Sequence, residues 1–499
     1  MTDTTFDQND PAPFAFDNTF AREMEGFWVS ARPAPASAPR LVAFNGALAE
    51  ELGLEAQRLD SELGARFFAG ARLPPGAEPL AQVYAGHQFG GFSRQLGDGR
   101  AMLLGEVIDR TGARRDIQLK GSGPTTFSRG GDGLAGLGPV LREYLIGEGM
   151  HALGVPTTRA LAAVTTGETV YREGPLPGAV LTRVAASHVR VGTFEYFASE
   201  GDQERVQQLA DYVLARHDPE LVGQAGQYLG LLEAVCERQA SLIARWMQVG
   251  FIHGVMNTDN VAISGETIDY GPCAFMDRYA PDTVFSSIDR TGRYAYGRQP
   301  QVTLWNLSRF AETLLPLIDS DQERAIATAT ATLETFVPRY EAHWLRGMRA
   351  KLGMQTARDG DEQFVGDFLI ALHHGQVDFT LAFRSLAQAV LGNRNVLRSL
   401  FGCTERIDAW LERWEARLEL EGVEAPARAE TMQRANPAFI PRNHKVEEAL
   451  EAAVERSDLG PFRELLEVIR RPFDEQPGRE AYSQPAPLDA DPYQTFCGT

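Results

Sequence analysis

Polar and apolar residues alternate through Asp116-Ile117-Gln118-Leu119-Lys120, the period of a strand with one buried face. Residues 101–108 read as a preceding strand, with Thr111-Gly112 as the hairpin turn between the two. Residues 139–153 carry Leu141, Tyr144 and Leu145 at helical spacing, and Gly154 marks the stop. Residues 157–164, 169–172 and 180–184 read as further strands, and 261–263 as a short one. From about residue 203 helices dominate, interrupted near 250–290 by loops and strand. Residues 445–455 exemplify the amphipathic helices of the last two hundred positions, which end in a proline-containing tail that reads as disordered. Residues 1 to about 20 read as a loose arm, and Arg32-Pro33-Ala34-Pro35 opens a second irregular stretch. No repeat of fixed period occurs. The pattern predicts an α+β protein, β-rich first and helical afterwards.

Hydrophobic content of 43% and charged content of 23% give this 499-residue chain enough apolar surface for a large soluble core. The net charge of −19 argues against a nucleic-acid partner held by bulk electrostatics. No apolar run reaches the length of a membrane span, and residues 1–13 are acidic and polar, unlike a leader peptide. A cytoplasmic protein without membrane contact is the expectation. Cys236, Cys273, Cys403 and Cys497 form no CxxC pair, so zinc spacing is absent.

Lysine occurs only at 120, 351 and 445; the rest of the forty-eight basic residues are arginine. Retaining lysine at the end of a strand suggests a compact ammonium rather than a planar fork, whereas Lys351 reads as a leftover. Tyr84-Ala85-Gly86-His87-Gln88-Phe89-Gly90-Gly91 and Gln95-Leu96-Gly97-Asp98-Gly99-Arg100 are glycine-rich turns before that strand. Glu143 follows Lys120 by 23 positions, on the predicted helix. A glycine turn, a strand lysine and a helix glutamate in this order are the layout of a kinase N-lobe. Further on, a helix ending near Val249-Gly250 leads into His253-Gly254-Val255-Met256-Asn257-Thr258-Asp259-Asn260, and later Ile268-Asp269-Tyr270-Gly271. His253, Asn260 and Asp269 keep kinase spacing, but Val255 stands where a kinase has its catalytic aspartate. Asn260 and Asp269 supply hard oxygen donors suited to Mg²⁺; an Asx turn after a strand would use the same residue types. Asp259 is the nearest carboxylate able to replace the missing base, or to orient one. A base displaced in this way suggests attack on a different phosphorus. His253 reads as structural, His373-His374 lack ligand partners, and Trp305 and Phe310 read as core.

The stretches 84–90, 95–100, Gln118-Leu119-Lys120-Gly121-Ser122-Gly123-Pro124-Thr125, 253–260 and Asn436-Pro437 through Pro441-Arg442-Asn443-His444 together resemble the selenoprotein O family, from about residue 15 to the end. The resemblance implies a protein-kinase-like bilobal fold with a helical C-terminal extension. Its expected divisions are an arm and extension (1–80), an N-lobe (81–195), a C-lobe with catalytic and metal loops (196–330) and a helical region with a Cys-bearing tail (331–499). It also implies an inverted ATP, with Mg²⁺ or Mn²⁺, and transfer of AMP to Ser, Thr or Tyr hydroxyls of proteins, with self-modification. By resemblance Lys120 contacts phosphates and pairs with Glu143, Arg183 and Arg190 clasp the nucleotide, and Gly97, Gly99, Arg100, Asp132 and Gly133 line its pocket. Asn260 and Asp269 bind the metal and Asp259 accepts the proton. Cys497 stands near where relatives carry selenocysteine, and a reversible disulfide with Cys273 is part of the implied arrangement. Alternatives are uridylylation from UTP with Mn²⁺, ordinary phosphoryl transfer, and a pseudokinase scaffold that binds ATP without turnover.

Overall fold

A computed structural model describes residues 13–487 and 489–496. They divide into two units, one holding residues 13–86, 92–144 and 158–189, the other 87–91, 145–157 and 190 onward. The first is sheet-rich and the second largely helical, the mixed make-up of a kinase-like fold.

The first unit is built on strands β1 (Trp28–Ser30), β2 (Arg40–Phe44) and β3 (Leu80–Gln82). After a short hairpin, β4 (Gly86–Gln88) and β5 (Gly91–Ser93), come β6 (Ala101–Ile108), β7 (Arg114–Lys120), β8 (Ala135–Gly136), β9 (Arg159–Tyr171) and β10 (Pro175–Ala185). One antiparallel sheet runs in the order β1-β3-β6-β7-β10-β9-β2, with β8 against β10. Helices α1 (Thr19–Glu23), α2 (Gly46–Glu51), α3 (Ala56–Leu59) and α4 (Glu62–Phe68) belong to the same unit. Leu48, Leu52, Phe67 and Phe68, in and beside α2 and α4, pack on Leu104, Ile117, Leu119, Val180 and Val184 of the sheet. Burying each such side chain contributes about 1.5–3 kcal/mol before entropy. Since successive strand residues point to opposite faces, Gln118 and Lys120 are directed away from this core. Arg183 lies opposite Gln118 in the register and shares that second face.

Three expectations need correction. Residues 13–20 are no loose arm: Phe14 is 2% exposed in the core, and the Phe20 backbone N–H donates to buried Glu106 at 2.7 Å. An aromatic at 14, 16 and 20 gives this segment enough apolar area to offset its ordering. The strands expected at 157–164 and 169–172 are one, β9, because Gly167 at φ +84° carries the chain through an irregular point beside Ala38. Residues 261–263 form no strand. Ala262 makes a single bridge to Arg190, while its carbonyl is taken by Gly265 N–H and by Gln239 Nε2 at 2.9 Å.

Helix α5 (Leu137–Ala152) belongs to the first unit as far as Tyr144 and to the second from Leu145. The second unit continues with α6 (Val191–Ser199), α7 (Gln203–His217), α8 (Gln227–Val249), the strand pair β11 (Phe251–Ile252) and β12 (Ala274–Phe275), and α9 (Gln299–Ile318). Then come α10 (Gln322–Glu334), α11 (Phe336–Lys351), α12 (Asp361–Gly375), α13 (Phe379–Val390), α14 (Asn395–Arg398), α15 (Glu405–Glu419), α16 (Ala425–Ala435), α17 (Asn443–Glu455) and α18 (Gly460–Ile469). Stacked Trp410 and Trp414, with Phe368 and Phe383, fill the middle of this helical region. Among the described residues, no helix is long and apolar enough to cross a membrane.

Lys351 is not a surface leftover. Its side chain is buried at the end of α11, with Nζ 4.4 Å from the Phe383 ring and 5.5 Å from that of Phe379. Burial pushes its pKa down to about 7, against the attraction of the two rings for the charged form. A folded value below the unfolded one means stability is complete only above the unfolded value and is lost as pH falls towards 7. Lys351→Met should therefore raise Tm, and the gain should be larger at pH 6 than at pH 9; calorimetry at the two pH values measures it.

Candidate active site

In the first unit β7 and α5 bring together the cations expected at a phosphate. Lys120 Nζ donates to Glu143 Oε2 at 2.7 Å, and Arg183 Nε donates to Glu143 Oε1. One carboxylate thus spans two cations from adjacent strands, and the trio keeps one net positive charge. Arg183 also donates to Gln118 Oε1 at 3.4 Å and is 3% exposed, so its fork is oriented mainly by protein groups. The glycine turns lie near this strand. A Cβ on Gly97, at φ +72°, would overlap the Phe127 ring, and one on Gly99 would meet the Phe127 carbonyl at 2.9 Å. The packing of residues 125–128 by itself accounts for both glycines. Gly133, at φ +65°, abuts the Gly123 backbone, so the Gly121–Pro124 turn and residues 133–134 fit together only without a side chain there. Asp132 is exposed and ion-paired with Arg172 at 2.9 Å, which holds its pKa below the usual range. Arg100 is half-buried at the start of β6.

In the second unit the loop after α8 is fixed at each end. Gly250 caps α8 in the left-handed conformation, φ +73°. His253 is wholly buried, which keeps it neutral; Nε2 donates to the Ile268 carbonyl at 2.9 Å and Nδ1 accepts from Val255 N–H at 3.4 Å. This imidazole ties the 253–260 segment to the residue before Asp269 and serves as scaffold. Asn260 donates its amide to the Val255 carbonyl at 3.0 Å, which leaves the Oδ1 end as the acceptor on offer. Asp269 sits at φ +70°, in the left-handed region that Asp and Asn enter more readily than most residues.

Asp259 occupies the middle of a short 3₁₀ turn, Thr258–Asn260. It is 8% exposed; Oδ2 accepts from Gln88 Nε2 at 3.4 Å, and Oδ1 has no hydrogen-bond partner among the described residues. Burial pushes its pKa up to about 6, against the opposing pull of Arg190 and aided by the charge of Asp269. Arg190 donates Nη1 to the Asp259 carbonyl at 2.8 Å, so this guanidinium shapes the turn itself. Five residues further on, on α6, Glu195 accepts from Thr258 Oγ1 and from His87 Nδ1 at 2.5 Å. His87 N–H donates to Thr258 Oγ1 at 2.7 Å and Phe89 N–H to Asn257 Oδ1 at 3.1 Å. Residues 87–89 and helix α6 therefore hold the turn together through Thr258, Asn257 and Asp259, a role that sequence reasoning did not assign to Gln88, Glu195 or Asn257.

The Asn436 to His444 stretch also gains a physical account. Arg442 is fully buried between Asp378 at 2.6 Å, Asp277 at 2.6 Å and the Ser483 carbonyl. Asn443 pairs with both backbone groups of Phe275, at 3.1 and 2.8 Å, and so fixes β12, where the Asp269 loop ends. Cys273 is buried, and its thiol lies 3.4 Å from the Tyr270 carbonyl. Thr495 Oγ1 donates to the Pro272 carbonyl at 2.7 Å; Cys497 lies outside the described residues, as does the arm before residue 13. No group of three or more His, Cys, Asp or Glu that could hold a metal occurs among the described residues.

A family model described as protein adenylyltransferase SelO matches residues 12–470. The chain belongs to that family. It is 60% identical over 488 residues to the "Protein nucleotidyltransferase YdiU" of Cereibacter sphaeroides strain KD131, covering 97% of this chain and 100% of that one. It is 57% identical to proteins of the same name from Rhodopseudomonas palustris and Methylorubrum extorquens, over 97% and 98% of this chain and 99% and 100% of theirs. This member of the SelO family is a nucleotidyltransferase.

The Asp259 carboxyl has a folded pKa above its unfolded one, so its contribution to stability is present at low pH and is lost as pH rises through about 6. Asp259→Asn should therefore raise stability at pH 8 by up to about 3 kcal/mol and at pH 5 by only about half as much. Denaturant melts at both pH values test this; an equal change at each would contradict it.

Proposed function

We propose that this SelO-family chain transfers AMP from ATP to Ser, Thr or Tyr hydroxyls of proteins, with Asp259 as the proton acceptor and a divalent cation required. The observation that carries this reading is the Asp259 carboxyl: buried, with one unpartnered oxygen and a pKa raised to about 6. A general base works best when its pKa lies near the operating pH, and a free oxygen gives the hydroxyl proton somewhere to go. The acceptor oxygen would attack the α-phosphorus. Its bond to phosphorus forms as the bond from that phosphorus to the bridging oxygen breaks, pyrophosphate departs with the electron pair, and the proton passes to Asp259. Lys120 and Arg183, balanced by one Glu143 carboxylate, would hold phosphate charge, and Arg190 would keep the Asp259 turn in shape.

Asn260 Oδ1 and the Asp269 carboxylate are hard oxygen donors that fit Mg²⁺ or Mn²⁺ with phosphate oxygens completing the shell, as such ions are commonly bound. When bound, the ion would neutralise charge developing on the leaving group. Gly97, Gly99, Arg100, Asp132 and Gly133 are proposed as nucleotide-pocket residues. The four chain divisions expected from the sequence remain the working functional map.

With ATP labelled at the α-phosphate, protein should acquire label; with γ-labelled ATP it should not, and pyrophosphate should be released. Asp259→Ala should lower incorporation about 10²–10⁴-fold. In the wild type kcat/KM should fall below pH about 6, as the base becomes protonated, and that acid limb should be absent from the residual activity of the variant. Label retained from the γ position would sink this reading.

A further inference from the structure

Trp305, on α9, is half-buried beneath three potential cations of its own unit. Arg293 lies 4.8 Å over its ring, Arg309 lies 5.2 Å away, and the His87 ring meets it edge-on at 5.3 Å. Arg309 has an acidic partner, Glu312 at 2.6 Å. Arg293 has none within ion-pair distance among the described residues, and its Nε is buried without a hydrogen-bond partner. Other arginines without a carboxylate among the described residues, such as Arg298 and Arg406, are exposed and solvated; Arg293 is half-buried between the Trp305 and Tyr294 rings, where a partly desolvated guanidinium favours an incoming carboxylate.

That arginine is held ready. Asp289 accepts from the backbone N–H groups of Arg293 and Tyr294, at 2.9 and 2.8 Å, which fixes the turn that presents the guanidinium. A Cβ on Gly90 would come within 3.6 Å of the Arg293 guanidinium carbon, so the hairpin tip lies directly against it. The same elements lead to the proposed base. Tyr294 OH donates to Asn257 Oδ1 at 2.7 Å, the Phe89 ring packs on Tyr294 at 5.0 Å, and Gln88 contacts Asp259. Phe89 is 37% exposed, an aromatic face open beside the arginine. Arg, Trp, Tyr and Phe are the residue types enriched where proteins bind other proteins. A bare phosphate would have no use for the aromatic rings; a peptide segment would use both.

We infer that Arg293, Trp305 and Phe89 form the docking platform for the acceptor segment, and that Arg293 selects segments carrying an Asp or Glu side chain near the hydroxyl to be modified. The inference rests on the adenylylation reading above. Its sequence signal was the Trp305 position, read there as core.

The test uses the full-length protein with α-labelled ATP and a cell extract as acceptor, with modified sites mapped by mass spectrometry for wild type, Arg293→Gln and Arg293→Glu. Wild-type sites should be enriched in Asp and Glu within a few residues. Arg293→Gln should lose that enrichment, and Arg293→Glu should shift it towards Lys and Arg. For one mapped acceptor purified on its own, Arg293→Gln should raise the acceptor KM about tenfold, with kcat and the KM for ATP close to wild type. Identical site patterns in all three proteins would overturn the inference, as would a rise in the KM for ATP alone, which would assign Arg293 to the nucleotide or the departing pyrophosphate. Absence of α-label in the wild type would instead overturn the adenylylation reading itself. Thermal melts of both variants matching wild type separate docking from folding.

Discussion

A carboxylate withheld from water is the constraint around which the second unit is arranged. Asp259 could sit in any solvated loop at little cost. Held 8% exposed with one oxygen unpartnered, it needs a frame that prevents the turn from swinging out to solvent. The frame comes from separate parts of the chain: Arg190 and Glu195 from one helix and its cap, residues 87–89 from a hairpin, and neutral His253 from the start of the same loop. Each contact involves a backbone group or a short polar side chain, so position is fixed while Asp259 Oδ1 stays unengaged among the described residues. A buried carboxylate of this kind costs stability, the pattern expected where catalysis needs a perturbed pKa.

The Lys120–Glu143 pair and the outline of the 253–260 loop were legible in the sequence because local rules dictate them. Strand alternation around Lys120 requires Gln118 and Lys120 to share a face, and helical spacing places Glu143 where it can reach across. Gly250 was readable as a helix stop, and the spacing from His253 to Asn260 was readable as a loop of fixed length. What escaped were contacts between residues far apart in the chain. Nothing local at His87 announces Glu195, 108 residues later, or Thr258, 171 residues later. Arg442 stood in a recognisable stretch without a mechanism until Asp277 and Asp378 closed on it. Lys351 misled for the complementary reason, since a lysine's presence says nothing about whether two phenylalanines cover it.

The glycine-rich turns show how a motif can satisfy two demands at once. Gly97 and Gly99 are needed simply because Phe127 and its backbone press against them, whatever else the turn holds. A resemblance that assigns such glycines to a nucleotide pocket and a packing argument that assigns them to the fold make the same demand on sequence. They are separable only at residues such as Lys120, whose charge the packing does not require.

Asp269 carries that overlap to its limit. Its left-handed backbone disfavours β-branched and bulky residues, and the metal-facing oxygen proposed above would exclude glycine, the residue the backbone otherwise favours. On that proposal, conformation and coordination chemistry would intersect on a vocabulary of two, aspartate and asparagine, and only one of those brings negative charge. Mutational drift at this position would then be closed off from two directions, and a neutral path from this loop to a different chemistry would have to begin by rebuilding the turn.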